Sequence, residues 1–321
     1  MNNKLTKQFS KMLLFAGSSH PELGQAIAKY IGIKLGDIKL STFSCGETYA
    51  KVNESIRGQE VYIIQTAGSN INDDLMELFI MMDGMKRASA AKINVVIPHF
   101  GYARQDKKSE PREPISARLI ADLLTAVGVD RVITVDLHAD QIQGFFNSPV
   151  DHLTALPLFA DYFKKKKLKD LVVVAPDAGR VRFAKRLASI IGNNTTLAFM
   201  HKSRPRHNVA EVVNIVGEVK DKTVLLVDDM VDTAGSITAG LANLKKHGCK
   251  DEIYLATTHP VFSGPAIERL AKAGFNEVIV TDTIPIPKES QFKGLKTLSM
   301  APMIAEAIKR DFLNDSISSL W

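Results

Sequence analysis

Short apolar runs alternate with amphipathic stretches along almost the whole chain. MLLFAG (12–17), VYIIQ (61–65), INVVIPH (93–99), RVITVDLH (131–138), LVVVAPD (171–177), TVLLVDD (223–229) and IYLATTH (253–259) have strand length and are rich in β-branched residues. Runs without polar alternation are what strands buried on both faces of a parallel sheet look like. Between them, PELGQAIAKYIG, DDLMELFIMMDGMKRA, PISARLIADLLTAVG and RFAKRLASIIG carry apolar residues at helical spacing. The alternation predicts an α/β fold of mainly parallel sheets with helices on both faces. Turn residues interrupt the pattern in FFNSPVDHLTALP, residues 145–157. We therefore expect one domain over 10–151 and a second over 152–301. Each half has its own apolar runs with acid-tipped ends, without a clean sequence repeat. The last helical stretch, in 302–321, has no strand after it and is expected to pack back on the first half.

Composition narrows the class. A chain of 321 residues is long for one core, which agrees with two domains of about 150 residues each. The 41 basic and 35 acidic residues leave a net charge of +6, which suits small polyanions as well as nucleic acid. No basic stripe studded with aromatic residues is present. The tract Lys164 to Lys167 follows Tyr162 and Phe163 and reads as a solvated helix end favoured by the helix dipole. No nucleic-acid partner is expected. Cys45 and Cys249 are the only cysteines, too few for a disulfide framework and consistent with a reducing compartment. The apolar run from Met12 to Ala16 is too short for a signal core or a membrane span, so the expected location is cytoplasmic.

The most informative stretch is VLLVDDMVDTAGS, from Val224 to Ser236. An apolar run ends in Asp228 and Asp229. Asp232, Thr233, Ala234, Gly235 and Ser236 then lead into a segment of helical spacing. Such a loop sits at the carboxyl end of a strand and the amino end of a helix, where open α/β sheets bind ligands. Free N–H groups of a first helical turn, among small residues and hydroxyls, favour a phosphate. Like charges keep the upstream carboxylates off that phosphate. They are better placed to accept hydrogen bonds from sugar hydroxyls or to reach a divalent cation through water. The combination points to a sugar phosphate.

Other constellations carry less alone. PHFGYARQD (98–106) places Arg104, Gln105 and Asp106 in a loop after a strand; Arg offers a fixed fork of donors to phosphate, and Gln can bridge a base edge or a phosphate. VDLHADQ puts His138 near another strand end. APDAGR places Asp177 at a strand tip ahead of Gly179, and one or two protein ligands are all that Mg²⁺ usually takes. MHKSRPRHNVAEV (200–212) clusters Lys202, Arg204 and Arg206 in a polar loop broken by Pro205, suited to closing over a polyphosphate. FSCGET (43–48) joins one strand to the next and by itself is a turn.

In their order and spacing, FSCGET, PHFGYARQD, VDLHADQIQGFF, PDAGR, HKSRPRHNVAEV and VDDMVDTAGS resemble the ribose-phosphate pyrophosphokinase family, class I type, over essentially the whole chain. The resemblance implies two related domains of the type I phosphoribosyltransferase kind. It implies transfer of the β,γ-diphosphoryl group of ATP to the C1 hydroxyl of ribose 5-phosphate, giving AMP and 5-phosphoribosyl 1-diphosphate for nucleotide biosynthesis. On it, Asp232, Thr233, Ala234, Gly235 and Ser236 hold the ribose phosphate, with Asp228 and Asp229 on the sugar hydroxyls. Lys202 and Arg204 match the catalytic basic loop, and Arg204 also the ribose 5-phosphate contacts. His138 and Asp177 match Mg²⁺-linked positions. Arg104, Gln105, Asp106 and His138 match ATP contacts, and Phe43, Cys45, Gly46 and Glu47 the adenine element, which in the family comes from a neighbouring subunit. A dimer at least, and a hexamer by analogy, is then expected, with inorganic phosphate as an activator. Three positions depart from the family pattern: Cys45 stands for Asp or Asn, Ser236 for Thr, and Arg180 for a second Gly in many members.

Two alternatives stay open on the sequence. A phosphoribosyltransferase, which consumes the diphosphate, shares the Val224 to Ser236 loop but lacks the Lys202 loop and the second ATP-binding half. A non-catalytic regulatory homologue would bind nucleotide without turnover; the intact Lys202 and Arg204 weigh against it.

Overall fold

A computed structural model describes residues 9–192, 194–203 and 212–320, without the side chains of 202, 203, 212, 213 and 319. The chain divides into two units. The first runs to Thr154 and also takes in Thr283–Pro285 and the chain from Ser299; the second comprises Ala155–Asp282 and Ile286–Leu298.

In the first unit, strands β1 (Met12–Ala16), β4 (Glu60–Ile64), β5 (Lys92–Ile97), β6 (Arg131–Val135) and β7 (Val150–Leu153) form a sheet in that order. All four pairings are parallel. A separate antiparallel hairpin is made by β2 (Ile38–Thr42) and β3 (Thr48–Val52). Strand β7 lies inside the turn-rich stretch 145–157 that we read as an interruption; it holds only four residues, two of them polar, and pairs on one side only.

Helix α1 (Pro21–Ile31) shows how local signals set an element. His20 caps it, accepting the Leu23 N–H on Nδ1 at 3.4 Å, and Pro21 stands at the first helical position, where its missing N–H costs nothing. Gly32 ends it in the left-handed region at φ 88°. Leu23, Ile27, Ala28 and Ile31 make its buried stripe, worth about 1.5–3 kcal/mol for each large aliphatic side chain. Helices α2 (Ile71–Arg87) and α3 (Ser116–Val127) add Leu75, Leu78, Met82, Ile120 and Leu124 to a core built on Val61, Ile63, Val95 and Val132.

The second unit has a seven-stranded sheet in the order β10 (Val212–Val216), β9 (Thr196–Ser203), β8 (Leu171–Ala175), β11 (Thr223–Val231), β12 (Ile253–Pro260), β13 (Glu277–Thr281) and β14 (Leu295–Leu298). Only the β9–β10 pairing is antiparallel. Helices α4 (Leu156–Lys166), α5 (Val181–Ile191), α6 (Gly235–Lys246) and α7 (Ala266–Ala273) belong to it. All five residues of β8 and all eight of β12 are buried, as expected of central strands covered on both faces. From β8 the chain builds outward through β9 and β10, then returns to lay β11 on the other side of β8. Strand order reverses there, and the crevice outside the carboxyl ends of β8 and β11 is the ligand position of this architecture.

The chain then re-enters the first unit. Thr66 Oγ1 donates to the Thr283 carbonyl at 2.6 Å. Helix α8 (Ala301–Phe312) packs on α1, with Phe312 against Phe9 at 5.8 Å between ring centroids. Tyr62 donates to Asp311 at 2.7 Å, and Arg131 ion-pairs with both Asp311 (2.7 Å) and Asp151 (2.8 Å). Burial and then the Asp311 carboxylate push the Tyr62 hydroxyl up, so it stays a donor. The lysine tract needs one correction. Lys164, Lys165 and Lys167 are exposed, but Lys166 turns inward: its Nζ is 2.8 Å from Glu277 and lies over the rings of Tyr162 and Tyr254.

Candidate active site

The switch point of the second unit gathers the acids and small residues singled out in the sequence. Strand β11 continues to Val231, so Asp228 and Asp229 lie within the strand, three and two residues before its last, rather than at its end. Asp228 is in register with Thr257 of β12 and is half-buried; Asp229 is buried. The Asp229 N–H donates to Asp228 Oδ1 at 2.9 Å. Burial, then the adjacent Asp229 carboxylate, push the Asp228 carboxyl well above the usual carboxylate range, while Arg180 and the Asp229 N–H pull it back.

Asp232, Thr233 and Ala234 connect β11 to α6. Ala234 adopts φ 60°, a left-handed conformation that costs a non-glycine residue roughly 1–2 kcal/mol, and Gly235 opens the helix directly after it. The helix begins with no side-chain cap and no acid in its first turn. Its first amides thus face a position where an anion supplies what a capping side chain otherwise would. Arg269 Nη1 donates to the Thr233 carbonyl at 2.9 Å and the Ser263 N–H to the Asp232 carbonyl at 3.1 Å, so the loop is pinned from outside. Nothing in local sequence spacing links Arg269 or Ser263 to this loop.

Beyond β8, Asp177 is exposed and extended, and its Oδ1 accepts the Arg180 N–H at 3.1 Å, closing a short turn over Ala178–Arg180 ahead of α5. The Arg180 side chain runs the other way, to Asp229 (Nη2 to Oδ2, 2.9 Å) and Asp228 (Nε to Oδ1, 3.4 Å). Among the described residues no three His, Cys, Asp or Glu side chains gather as a metal cage. Mg²⁺ does not require one: it keeps several waters and takes phosphate oxygens beside one or two carboxylates. An exposed carboxylate such as Asp177 fits that demand.

In the first unit, the loops after β5 and β6 adjoin, since the two strands pair with Ile97 opposite Thr134. Arg104 and Gln105 are exposed and Asp106 half-buried. Gln105 Oε1 accepts from Ser116 Oγ at 2.5 Å, and Asp106 accepts from Gln141 Nε2 at 2.8 Å. The second bond joins the Arg104 loop to the segment that carries half-buried His138. On the β2–β3 hairpin, Gly46 turns the chain at φ 94°, and the Phe43 N–H donates to the Glu47 carbonyl at 2.8 Å. Phe43 is 52% exposed, against the edge of Tyr49, and Cys45 and Glu47 are exposed beside it. The Lys202 backbone lies in β9, while its side chain and Arg204 are outside the described residues.

Comparison with known proteins agrees along the whole chain. Residues 12–128 match the model of the N-terminal domain of ribose phosphate pyrophosphokinase, and residues 171–321 that of the phosphoribosyl synthetase-associated domain. The chain is 49% identical to a ribose-phosphate pyrophosphokinase of Caldanaerobacter subterraneus subsp. tengcongensis over 318 residues, covering 99% of this chain and 100% of that protein. It is 49% identical to one from Bacillus caldolyticus, covering 97% and 98%. The crystal structure of phosphoribosylpyrophosphate synthetase from Mycobacterium smegmatis superposes with a TM-score of 0.90 at 45% identity, covering 95% of this chain and 99% of that one.

Proposed function

This chain belongs to the ribose-phosphate pyrophosphokinase family, and from that premise we propose how its residues divide the work. The enzyme transfers the β,γ-diphosphoryl group of ATP to the C1 hydroxyl of ribose 5-phosphate, with AMP and 5-phosphoribosyl 1-diphosphate as products. Relatives matched from end to end favour this activity over a phosphoribosyltransferase or a non-catalytic homologue.

One observation carries the assignment of residues: the uncapped start of α6, directly after the left-handed Ala234, lies next to the Asp228–Asp229 pair at the switch point. The 5-phosphate takes the amides and hydroxyls of Asp232 to Ser236, and the two carboxylates accept from the ribose hydroxyls. That leaves C1 as the acceptor end. Phosphoryl transfer needs mainly in-line placement and neutralisation of charge on the moving group. Lys202 and Arg204 are assigned the neutralisation, on their match to the family's basic loop. Arg104, Gln105, Asp106 and His138 hold ATP. The exposure of Phe43 at the turn of the β2–β3 hairpin, with Cys45, Gly46 and Glu47, supports presentation of adenine contacts to a neighbouring subunit, hence a dimer at least and a hexamer by family analogy. Asp177 and His138 would hold Mg²⁺, which neutralises the polyphosphate of the donor. Inorganic phosphate is the proposed activator. No helix among the described residues is long and apolar enough to cross a membrane, and a cytoplasmic location is part of the proposal.

The test is product identity. Purified protein given ribose 5-phosphate, ATP, Mg²⁺ and phosphate should release AMP, separated from ADP by ion-exchange chromatography. ADP release, or no nucleotide product at saturating Mg²⁺, would refute the reading.

A further inference from the structure

Arg180 joins the turn after β8 to strand β11, two segments of the switch point that sequence treats as unrelated. Its backbone N–H fixes Asp177 at 3.1 Å, on the tip of β8. Its guanidinium meets Asp229 at 2.9 Å and Asp228 at 3.4 Å, on the adjacent strand β11. The side chains involved are shielded, with 14% exposure for Arg180, 17% for Asp228 and 3% for Asp229. A planar fork reaches two neighbouring carboxylates at once, which a lysine ammonium cannot do in the same geometry.

Beside a phosphate cradle, two shielded carboxylates are a liability. The negative charge that the pair holds between them repels the dianionic ester that must settle a few residues further on, and that repulsion is poorly screened where water is thin. We propose that Arg180 is a positioning residue for the sugar phosphate: a built-in counter-ion that offsets part of the field of Asp228 and Asp229 and fixes their orientation toward the ribose hydroxyls. A carboxylate has about four acceptor sites, so one ion-pair contact does not by itself exhaust it for sugar hydroxyls. The inference rests on the assignment of Asp228 to Ser236 to ribose 5-phosphate, and it gives the departure at position 180 a task.

The test compares wild type with Arg180→Gln, Arg180→Lys and Arg180→Gly, using ribose 5-phosphate binding by calorimetry and steady-state kinetics. Arg180→Gln should raise both Kd and KM for ribose 5-phosphate about tenfold, with kcat and the KM for ATP within about threefold of wild type. Arg180→Lys should fall between the two, since it restores the charge without the fork. If Arg180→Gln does not fold, Arg180→Gly reads the same quantity, at φ −97° and ψ 0° that any residue adopts. Unchanged affinity, tighter binding, or a fall in kcat alone overturns the proposal. Calorimetry reads the role of Arg180 without turnover, so a wild type that releases no AMP would sink the activity while leaving this inference to its own result.

Discussion

Replacing Asp74 with Asn should stabilise the protein by an amount that grows above about pH 4 and levels off above about pH 6. Asp74 is 9% exposed in the first turn of α2, where it accepts the Gly68 N–H at 2.7 Å. Burial pushes its carboxyl up to about 6; the Gly68 N–H pulls it down, and the Glu77 and Asp73 carboxylates push further up. An acid that holds its proton more tightly folded than unfolded supports the fold below about pH 4 and loses that support as pH rises through 6. A shift of about 2 units corresponds to at most about 2.7 kcal/mol by pH 8, and partial hydration reduces this to roughly 1–2 kcal/mol. Asparagine keeps an oxygen for the Gly68 N–H and never ionises. The melting temperature of Asp74→Asn minus that of wild type should therefore be near zero at pH 4 and about 3–6 °C at pH 8, for a unit of this size. Thermal melts across that range decide the matter. A difference that does not change with pH, or a less stable variant at pH 8, would mean that the Asp74 carboxylate is not under the strain that its burial implies. The Gly68 segment also adjoins the stretch that leads into the Arg104 loop, through the Ala67 N–H donating to the His99 carbonyl at 3.1 Å.

Two further outcomes are expected. Asp311→Ala removes the acceptor shared by Tyr62 and Arg131; Arg131 keeps Asp151 and Tyr62 keeps Glu60, so the loss should be about 2 kcal/mol, below that of a fully broken buried pair. Hydrogen exchange should show it as faster opening of α8, and unchanged protection there would refute the latch. Lys202→Ala should lose most turnover in the AMP-release assay while still binding ribose 5-phosphate by calorimetry; full turnover would remove Lys202 from the chemistry.

The sequence made the central strands and the junction between β11 and α6 legible for one reason. A strand buried on both faces and a strand–loop–helix junction are local patterns, complete within about a dozen residues. The edge strands β7 and β14 were not legible, because four residues with polar members carry no period. Strand order was hidden too: that β11 lies on the far side of β8 from β9 depends on pairing across some fifty positions of chain. The switch point, and with it the meeting of Arg180 with Asp228 and Asp229, follows from that order alone. Arg180 stood in the sequence as a departure from a glycine, its partners invisible. Asp228 and Asp229 were legible as acids near the carboxyl end of a buried strand, although the strand runs on past them to Val231.

The discontinuity of the first unit has a consequence for how the protein is made. Its sheet and first three helices leave the ribosome early, yet α1 lacks its packing partner until residues 301–312 have been synthesised. The unit translated first is thus the one completed last, after the whole seven-stranded sheet of the second unit has had time to form. Until then the face of α1 that α8 will cover stays open to solvent and to chaperones. A nascent chain stalled before Ala301 is an unfinished first unit joined to a second unit whose strands are all present, so premature termination there should mark the product for removal while the loop between β11 and α6 is already built.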